Sequence, residues 1–246
     1  MSSFHIVDHS PWPFFVSISF VTLITAASPV LPAATLLFIT FLWLRDIIRE
    51  SKQGYHTVLV QKGLRLSFLI FLITEIMLFF SFFWSFFHSS LSPSIALGFI
   101  WPPVGIQAIQ YTSIPLLGSF LLLSSGFFLT LSHHAFLTRD KTLCLTHGFI
   151  TLILGSLFAL LQFTEYQTSS FTISDSVFGS VFYMTTGLHG IHVICGILFL
   201  AVSYARILFD HLTLEHHLGF EFSIFYYHLV DIIWLFVFFS FYWWGS

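Results

Sequence analysis

Charged side chains are scarce in this 246-residue chain: Lys and Arg number 8, Asp and Glu 11, together 8% of residues, against about 25% in an average soluble domain. That excludes an ordinary water-soluble globule, and the lack of any basic tail or stripe excludes nucleic acid as a partner. Cysteine is nearly absent. Cys144 and Cys195 stand alone in apolar segments, so neither disulfide staples nor thiolate metal sites are expected, and both read as small buried residues. No internal repeat of the transporter kind is visible. The first Lys or Arg is Arg45, so the start of the chain lacks the charged opening of a signal peptide and the Arg-rich pattern of a transit peptide. Either the protein is made in the compartment where it inserts, or its own first span directs it.

What is abundant is apolar and aromatic: 57% and 20% of residues. The run from Leu66 to Phe87, LSFLIFLITEIMLFFSFFWSFF, is roughly 22 residues, and at about 1.5 Å each it crosses a hydrocarbon core of about 30 Å. Six more apolar segments accompany it, at about Phe14–Ala27, Ala33–Ile48, Leu116–His133, Leu145–Phe163, Val177–Leu208 and Phe220–Trp244. The prediction is an all-α membrane protein with seven transmembrane helices. SPVLP should turn sharply between the first two. RDIIRESKQGYHTVLVQKGLR reads as a helix emerging into water followed by a loop. The uncharged, Pro- and Ser-rich stretch HSSLSPSIALGFIWPPVGIQAIQYTSIP reads as a long connection on a membrane surface.

Charge placement tests that count. Arg45, Arg49, Lys52, Lys62, Arg65, Arg139, Lys141 and Arg206 all fall at the ends of spans two, four and six or in the connections after them, and these are all 8 Lys and Arg of the chain. The positive-inside rule then places the N-terminus and basic loops inside and the C-terminus outside. Trp12, Trp43, Trp84, Trp101, Trp243 and Trp244 fall near span ends, as an aromatic belt requires, whereas Trp234 does not.

The polar residues inside the spans are the functional candidates. Glu75 sits near the middle of its span, where a lipid-facing charge costs about 2.5 to 3.5 kcal/mol. It must face protein, water or a headgroup, and a neutral Glu locking helix packing is the competing reading. His133 and His134 end span four with rings about 100° apart, while His189 and His192 share one face of span six. A haem or metal would need histidines paired across helices at one depth, so these read as packing residues, with Gly187, Gly190 and Gly196 allowing hydrogen bonds across a close helix contact. His228 and Asp231, three apart, are expected to pair and so reduce the cost of burying Asp231, with a proton relay as the alternative. Glu165 joins Glu75, Asp231 and the histidines in a rival reading, an independent proton-coupled transporter or channel. A haem-binding membrane cytochrome is the other rival. On the inner side His56, Lys62, Arg65, Arg206, His211, His216 and His217 gather at span ends, where they set topology and can also bind anionic headgroups.

Several runs together resemble one family: FHIVDHSPWP, RESKQGYHTVLVQKGLR, TEIMLFFSFFWSFFHSSL, WPPVGI, LLLSSGFFLTLSHH, LLQFTEYQTSSFTISDSVFGS, TGLHGIHVICG, HHLGFEFSIFYYHLVDIIWLF and YWWGS. They cover nearly the whole chain and closely resemble subunit III of the haem-copper cytochrome c oxidases. The resemblance implies an N-terminal two-helix unit, residues 1–55, splayed from a five-helix bundle, residues 56–246, with phospholipids, anionic or zwitterionic, in the cleft between. It implies no cofactor in this chain, since haem and copper belong to neighbouring subunits. Subunits I and II and the other chains of respiratory complex IV are the implied partners. Glu75 then resembles the family's buried carboxylate near those lipids, and His56, Arg65 and Arg206 are candidate headgroup contacts. The implied role is accessory: stabilising the catalytic subunit, holding lipid and supporting proton uptake in a complex that passes electrons from cytochrome c to O2. The implied setting is the mitochondrial inner membrane, basic loops on the matrix side and C-terminus on the intermembrane side.

Overall fold

A computed structural model describes residues 9–25, 28–95 and 98–245; these are helix and connecting loop, with no strand among them. Seven α-helices follow in order: α1 Trp12–Thr25, α2 Val30–Lys52, α3 Val58–Leu91, α4 Ile114–Leu137, α5 Lys141–Thr168, α6 Ser176–Leu208 and α7 Leu218–Val237, with a π-helical segment, Phe238–Trp244, continuing α7. Six of these are long and apolar enough to span a membrane. α1, with 14 residues, rises only about 21 Å. Ala27, where the first span was expected to end, lies outside the described residues.

Most helices run a few residues beyond the expected spans, and two of the differences have a local cause. α2 begins at Val30 and takes in Pro32, because a proline in the first turn gives up only a backbone N–H that has no helical partner anyway. α3 begins at Val58, so VLVQKGLR is helix rather than loop. The segment holds no proline, Thr57 Oγ1 accepts a hydrogen bond from the Val60 N–H at 3.5 Å, and the Lys62 and Arg65 charges reach water from an exposed face.

The chain forms two compact units, Met1–Phe68 and Leu69–Ser246, and their boundary falls within α3. In the first unit α1 and α2 pack together. Trp12 Nε1 at the start of α1 donates to Asp46 Oδ2 near the end of α2 at 2.6 Å, and Arg45 and Arg49 flank the same carboxylate. An indole tied to the far end of the next helix fixes the two as an antiparallel pair.

In the second unit α4 packs on α5 and α7, and α6 on α5 and α7. Its core is aromatic: Phe158, Trp234, Phe182, Phe220, Tyr227 and Tyr242 are almost wholly buried. Lipid leaves no hydrophobic drive between helices, so close contact and interhelical hydrogen bonds carry the association. Both are present. The position a Gly155 Cβ would take is filled by the Tyr227 hydroxyl, which meets Ser125 Oγ at 3.0 Å. Tyr204 donates to Ser132 at 3.0 Å, Ser132 to the Cys144 carbonyl at 2.8 Å, and Gln162 Nε2 to the Thr186 carbonyl at 2.9 Å. Trp234, which fits no aromatic belt, is a core residue whose Nε1 donates to Ser119 at 3.0 Å.

Candidate functional site

Glu75 meets His192. α3 and α6 present the two side chains so that His192 Nε2 lies 2.7 Å from Glu75 Oε2, with side-chain exposures of 12% and 18%. The imidazole is boxed by Phe79, edge-on at 5.2 Å between centroids, and by Tyr226, stacked at 6.2 Å. Its Nδ1 lies 2.8 Å from the Leu188 carbonyl oxygen. A carbonyl only accepts, so Nδ1 carries a proton. At 2.7 Å the opposite contact then needs one proton of its own, held either as Glu75 O–H donating to Nε2 or as Nε2–H donating to the carboxylate. Two lone pairs facing each other at that distance would repel. The pair is therefore neutral overall, an arrangement compatible with the membrane interior. A histidine 117 positions away has no local spacing signal, which is why sequence alone did not join it to Glu75.

His189, on the neighbouring face of α6, turns elsewhere. It is fully buried and its Nε2 donates to the Val230 carbonyl of α7 at 3.2 Å. So His189 and His192 each hydrogen-bond across a helix contact, as expected, but to different helices. Among the described residues no three of His, Cys, Asp and Glu converge as a metal ligand set.

The expected pairing of His228 with Asp231 is not formed. Both Asp231 oxygens are buried without a hydrogen-bond partner among the described residues. The three-residue offset puts both side chains on one face of α7, yet both lean into the notch at Gly126 of α4. A Cβ there would lie 2.8 Å from Asp231 Oδ2 and 3.6 Å from His228 Nδ1. Glu165 of α5, 4% exposed, does have a partner, the Tyr242 hydroxyl, which donates to Oε1 at 2.6 Å. Tyr242 comes from the π-helical segment, a widened turn of the kind that frequently marks functional sites. Nothing in the local sequence pattern signalled that turn.

His133 is half-buried one turn from the end of α4, packing edge-on against Phe220 at 5.9 Å, and His134 beside it is exposed. Of the inner-side cluster, His56 precedes α3, its carbonyl accepting from Gln61 Nε2 at 3.0 Å, and Arg65 is exposed on α3. In the second unit Arg206 lies in the last turn of α6 with its Nε buried and without a partner among the described residues, while His211 and His216 are exposed in the following loop. His217 is engaged, with Nε2 3.2 Å from Glu221. None of these lines the pocket of about 500 Å³ formed by the α4–α5 and α6–α7 turns. Arg139, Lys141, Asp210 and Glu215 do, with Lys141 and Asp210 paired at 2.7 Å. Cys195, expected to be buried, is exposed on α6; Cys144 is buried as read.

The second unit thus combines a buried polar network with a bare apolar exterior. On α3 alone Leu69, Ile73, Met77, Phe80 and Trp84 are half or more exposed, as a lipid- or subunit-facing helix requires. Comparison with known proteins agrees with the motifs. The family model described as Cytochrome c oxidase subunit III matches residues 2–246. Cytochrome c oxidase subunit 3 of Mycosarcoma maydis is 46% identical over 99% of this chain and 95% of its own length. That of Arabidopsis thaliana is 45% identical over 99% and 97%, and that of Hippopotamus amphibius 44% over 99% and 98%. On a match of this extent, with an all-helical, membrane-spanning architecture to carry it, the chain belongs to the cytochrome c oxidase subunit III family.

Proposed function

We propose that this chain is the accessory, non-catalytic third subunit of a proton-pumping cytochrome c oxidase of the mitochondrial inner membrane. It covers a flank of the catalytic subunit, holds ordered phospholipid and supports proton uptake while neighbouring subunits I and II, with haem and copper, pass electrons from cytochrome c to O2. The observation that carries this reading is the Glu75–His192 pair within a helix whose outer face is apolar. One neutral, doubly engaged hydrogen bond fixes α3 to α6, and the face left bare takes acyl chains or a partner helix. The candidates for phosphate at the basic end are Arg206, His211, His216 and His217 in the second unit and His56 and Arg65 in the first. Basic residues at inner span ends suit anionic headgroups, each contributing on the order of 1 kcal/mol near such a surface. The basic loops face the matrix and the C-terminus the intermembrane side, by the distribution of Lys and Arg.

The test is purification in mild detergent through a tag on this chain, with mass spectrometry of co-purifying chains and lipids and an absorption spectrum of the same fraction. Retention of haem-bearing oxidase subunits with stoichiometric phospholipid is expected. A chain that elutes alone, free of haem-bearing partners, would remove the proposal.

A further inference from the structure

His217 turns both of its ring nitrogens toward acceptors. Nδ1 lies 3.2 Å from the Thr213 carbonyl oxygen, and Nε2 lies 3.2 Å from Glu221 Oε1. A carbonyl oxygen only accepts, so Nδ1 carries a proton. On the other side a bare Nε2 lone pair would repel the carboxylate, whereas an N–H attracts it, so the arrangement calls for a proton there too. The ring is then an imidazolium bridging two acceptors, and with its side chain 12% exposed it is largely sheltered from solvent.

What the ring ties together is the α6–α7 loop and the first turn of α7. The loop is closed on itself: the Thr213 N–H donates to the His216 carbonyl at 3.4 Å, and the His216 N–H returns to the Thr213 carbonyl at 3.1 Å. The Thr213 carbonyl therefore accepts from His216 and from His217, one donor for each of its lone pairs. Leu212, Thr213, Leu214 and Glu215 of this loop form one wall of the 500 Å³ pocket. Phe136 of α4 lines the same pocket and packs on the His217 ring at 5.2 Å. The charged and titratable groups around the ring come from every neighbouring element. Glu221 of α7 carries the ion pair. Opposing it are Arg206 of α6, whose Nη1 would lie 3.0 Å from a Cβ at Gly219, and any proton on His133 of α4, which shares the ring cluster through Phe220 at 5.9 Å. His134 of α4 and His211, Glu215 and His216 of the loop are exposed to water. Lys141 of α5, on the pocket's other wall, is paired with Asp210.

We propose that the α6–α7 loop is a pH-sensitive strap, latched by the His217 imidazolium to Thr213 and Glu221, that forms the pocket wall while the ring is charged and is released when the ring loses a proton. An imidazole changes charge between about pH 5 and pH 8, within the range a respiring compartment visits. The neutral ring keeps one N–H for two acceptors, so either the Thr213 carbonyl or the Glu221 carboxylate is left facing a lone pair. The latch is therefore whole at pH values below the ring's titration and is lost as pH rises through it. The strap rests on the oxidase reading only for its setting. On that reading the loop faces the side from which turnover draws protons, so turnover alkalinises the water that the latch meets.

The experiment is hydrogen–deuterium exchange with mass spectrometry on the purified complex containing this chain, labelled between about pH 5 and about pH 9 and expressed as protection relative to the intrinsic rate at each pH. Protection of the Thr213 and His216 amides should fall about tenfold as pH rises, the scale of a hydrogen bond to a charged group. Glu221→Gln, which removes the anion that favours the imidazolium, should move that fall to lower pH. His217→Gln, whose amide does not titrate, should make protection independent of pH. His211→Gln and His216→Gln, which remove titratable neighbours but not the bond to Thr213, should leave the fall in place. Wild-type protection that is flat with pH overturns the proposal, and it does so even where the His217 variant fails to assemble. A fall that survives His217→Gln, or one abolished by His211→Gln, overturns it as well. The profile is read on whichever complex carries the chain, so failure of the strap and failure of the oxidase reading are separate results.

Discussion

Glu165 and Tyr242 are 77 positions apart in sequence and 2.6 Å apart in space. The phenol comes from the π-helical end of α7 and the carboxyl from the last turns of α5, so one hydrogen bond closes the bundle at the end away from the basic loops. Removing one partner of a buried polar pair leaves the other desolvated, a loss of about 1 to 3 kcal/mol, whereas replacing both with apolar groups can be nearly neutral. Tyr242→Phe should therefore destabilise the chain within the complex by that amount, and Tyr242→Phe combined with Glu165→Leu by less. Thermal melting of the solubilised oxidase measures both. A double variant weaker than the single one would show that Glu165 does not depend on this phenol.

The Glu75–His192 contact needs one proton between two heavy atoms, and a Gln amide can supply it by donating to Nε2. Glu75→Gln should leave assembly and initial turnover nearly intact. Glu75→Ala, and more so Glu75→Lys, which sets a cation against the imidazole, should loosen α3, shed bound lipid and shorten the enzyme's working life. Interhelical hydrogen bonds in membranes average about 0.6 and reach about 1.7 kcal/mol, so the Ala effect is a several-fold faster decay rather than collapse. Lipid mass spectrometry and activity followed over many turnovers are the readouts. Loss of the initial turnover in Glu75→Gln would make Glu75 an obligatory proton carrier.

The Tyr227 side chain of α7 reaches α5 at Gly155, whose missing side chain leaves room for its hydroxyl. Gly155→Ala should overpack that contact, costing about 1 to 3 kcal/mol. Adding Tyr227→Phe should restore part of the loss even though it gives up the bond to Ser125. If Gly155→Ala melts at the wild-type temperature, the helices are not in contact there.

All 8 Lys and Arg lie towards the C-terminal ends of the even-numbered helices, in the connections after them or in the first turns of the helices that follow, which fixes an expected topology. A tag fused after Ser246 should be reached from the intermembrane side of intact inner membrane, and a protease added there should spare the loop at Lys52. Cleavage at Lys52 from that side would reverse the orientation.

Composition and periodic apolar runs were enough to determine that this is an all-helical, multi-pass membrane protein, and its motifs were enough to place it in a family. Helix interiors follow from local chemistry: long apolar stretches leave the backbone no partner in lipid other than itself. Helix ends were less legible, as α3 shows, because Val58 to Arg65 is polar enough to read as loop and is helical all the same. What only the tertiary structure decided is which polar groups meet. The offset between His228 and Asp231 suggested a pair, yet both turn to Gly126 on another helix. Glu75 found His192, and Glu165 found Tyr242 only through a π-helical turn. Spacing within a helix fixes the face a side chain leaves from. The partner it reaches depends on how the helices rotate and how deeply they sit against one another, and that is set by packing across the whole bundle.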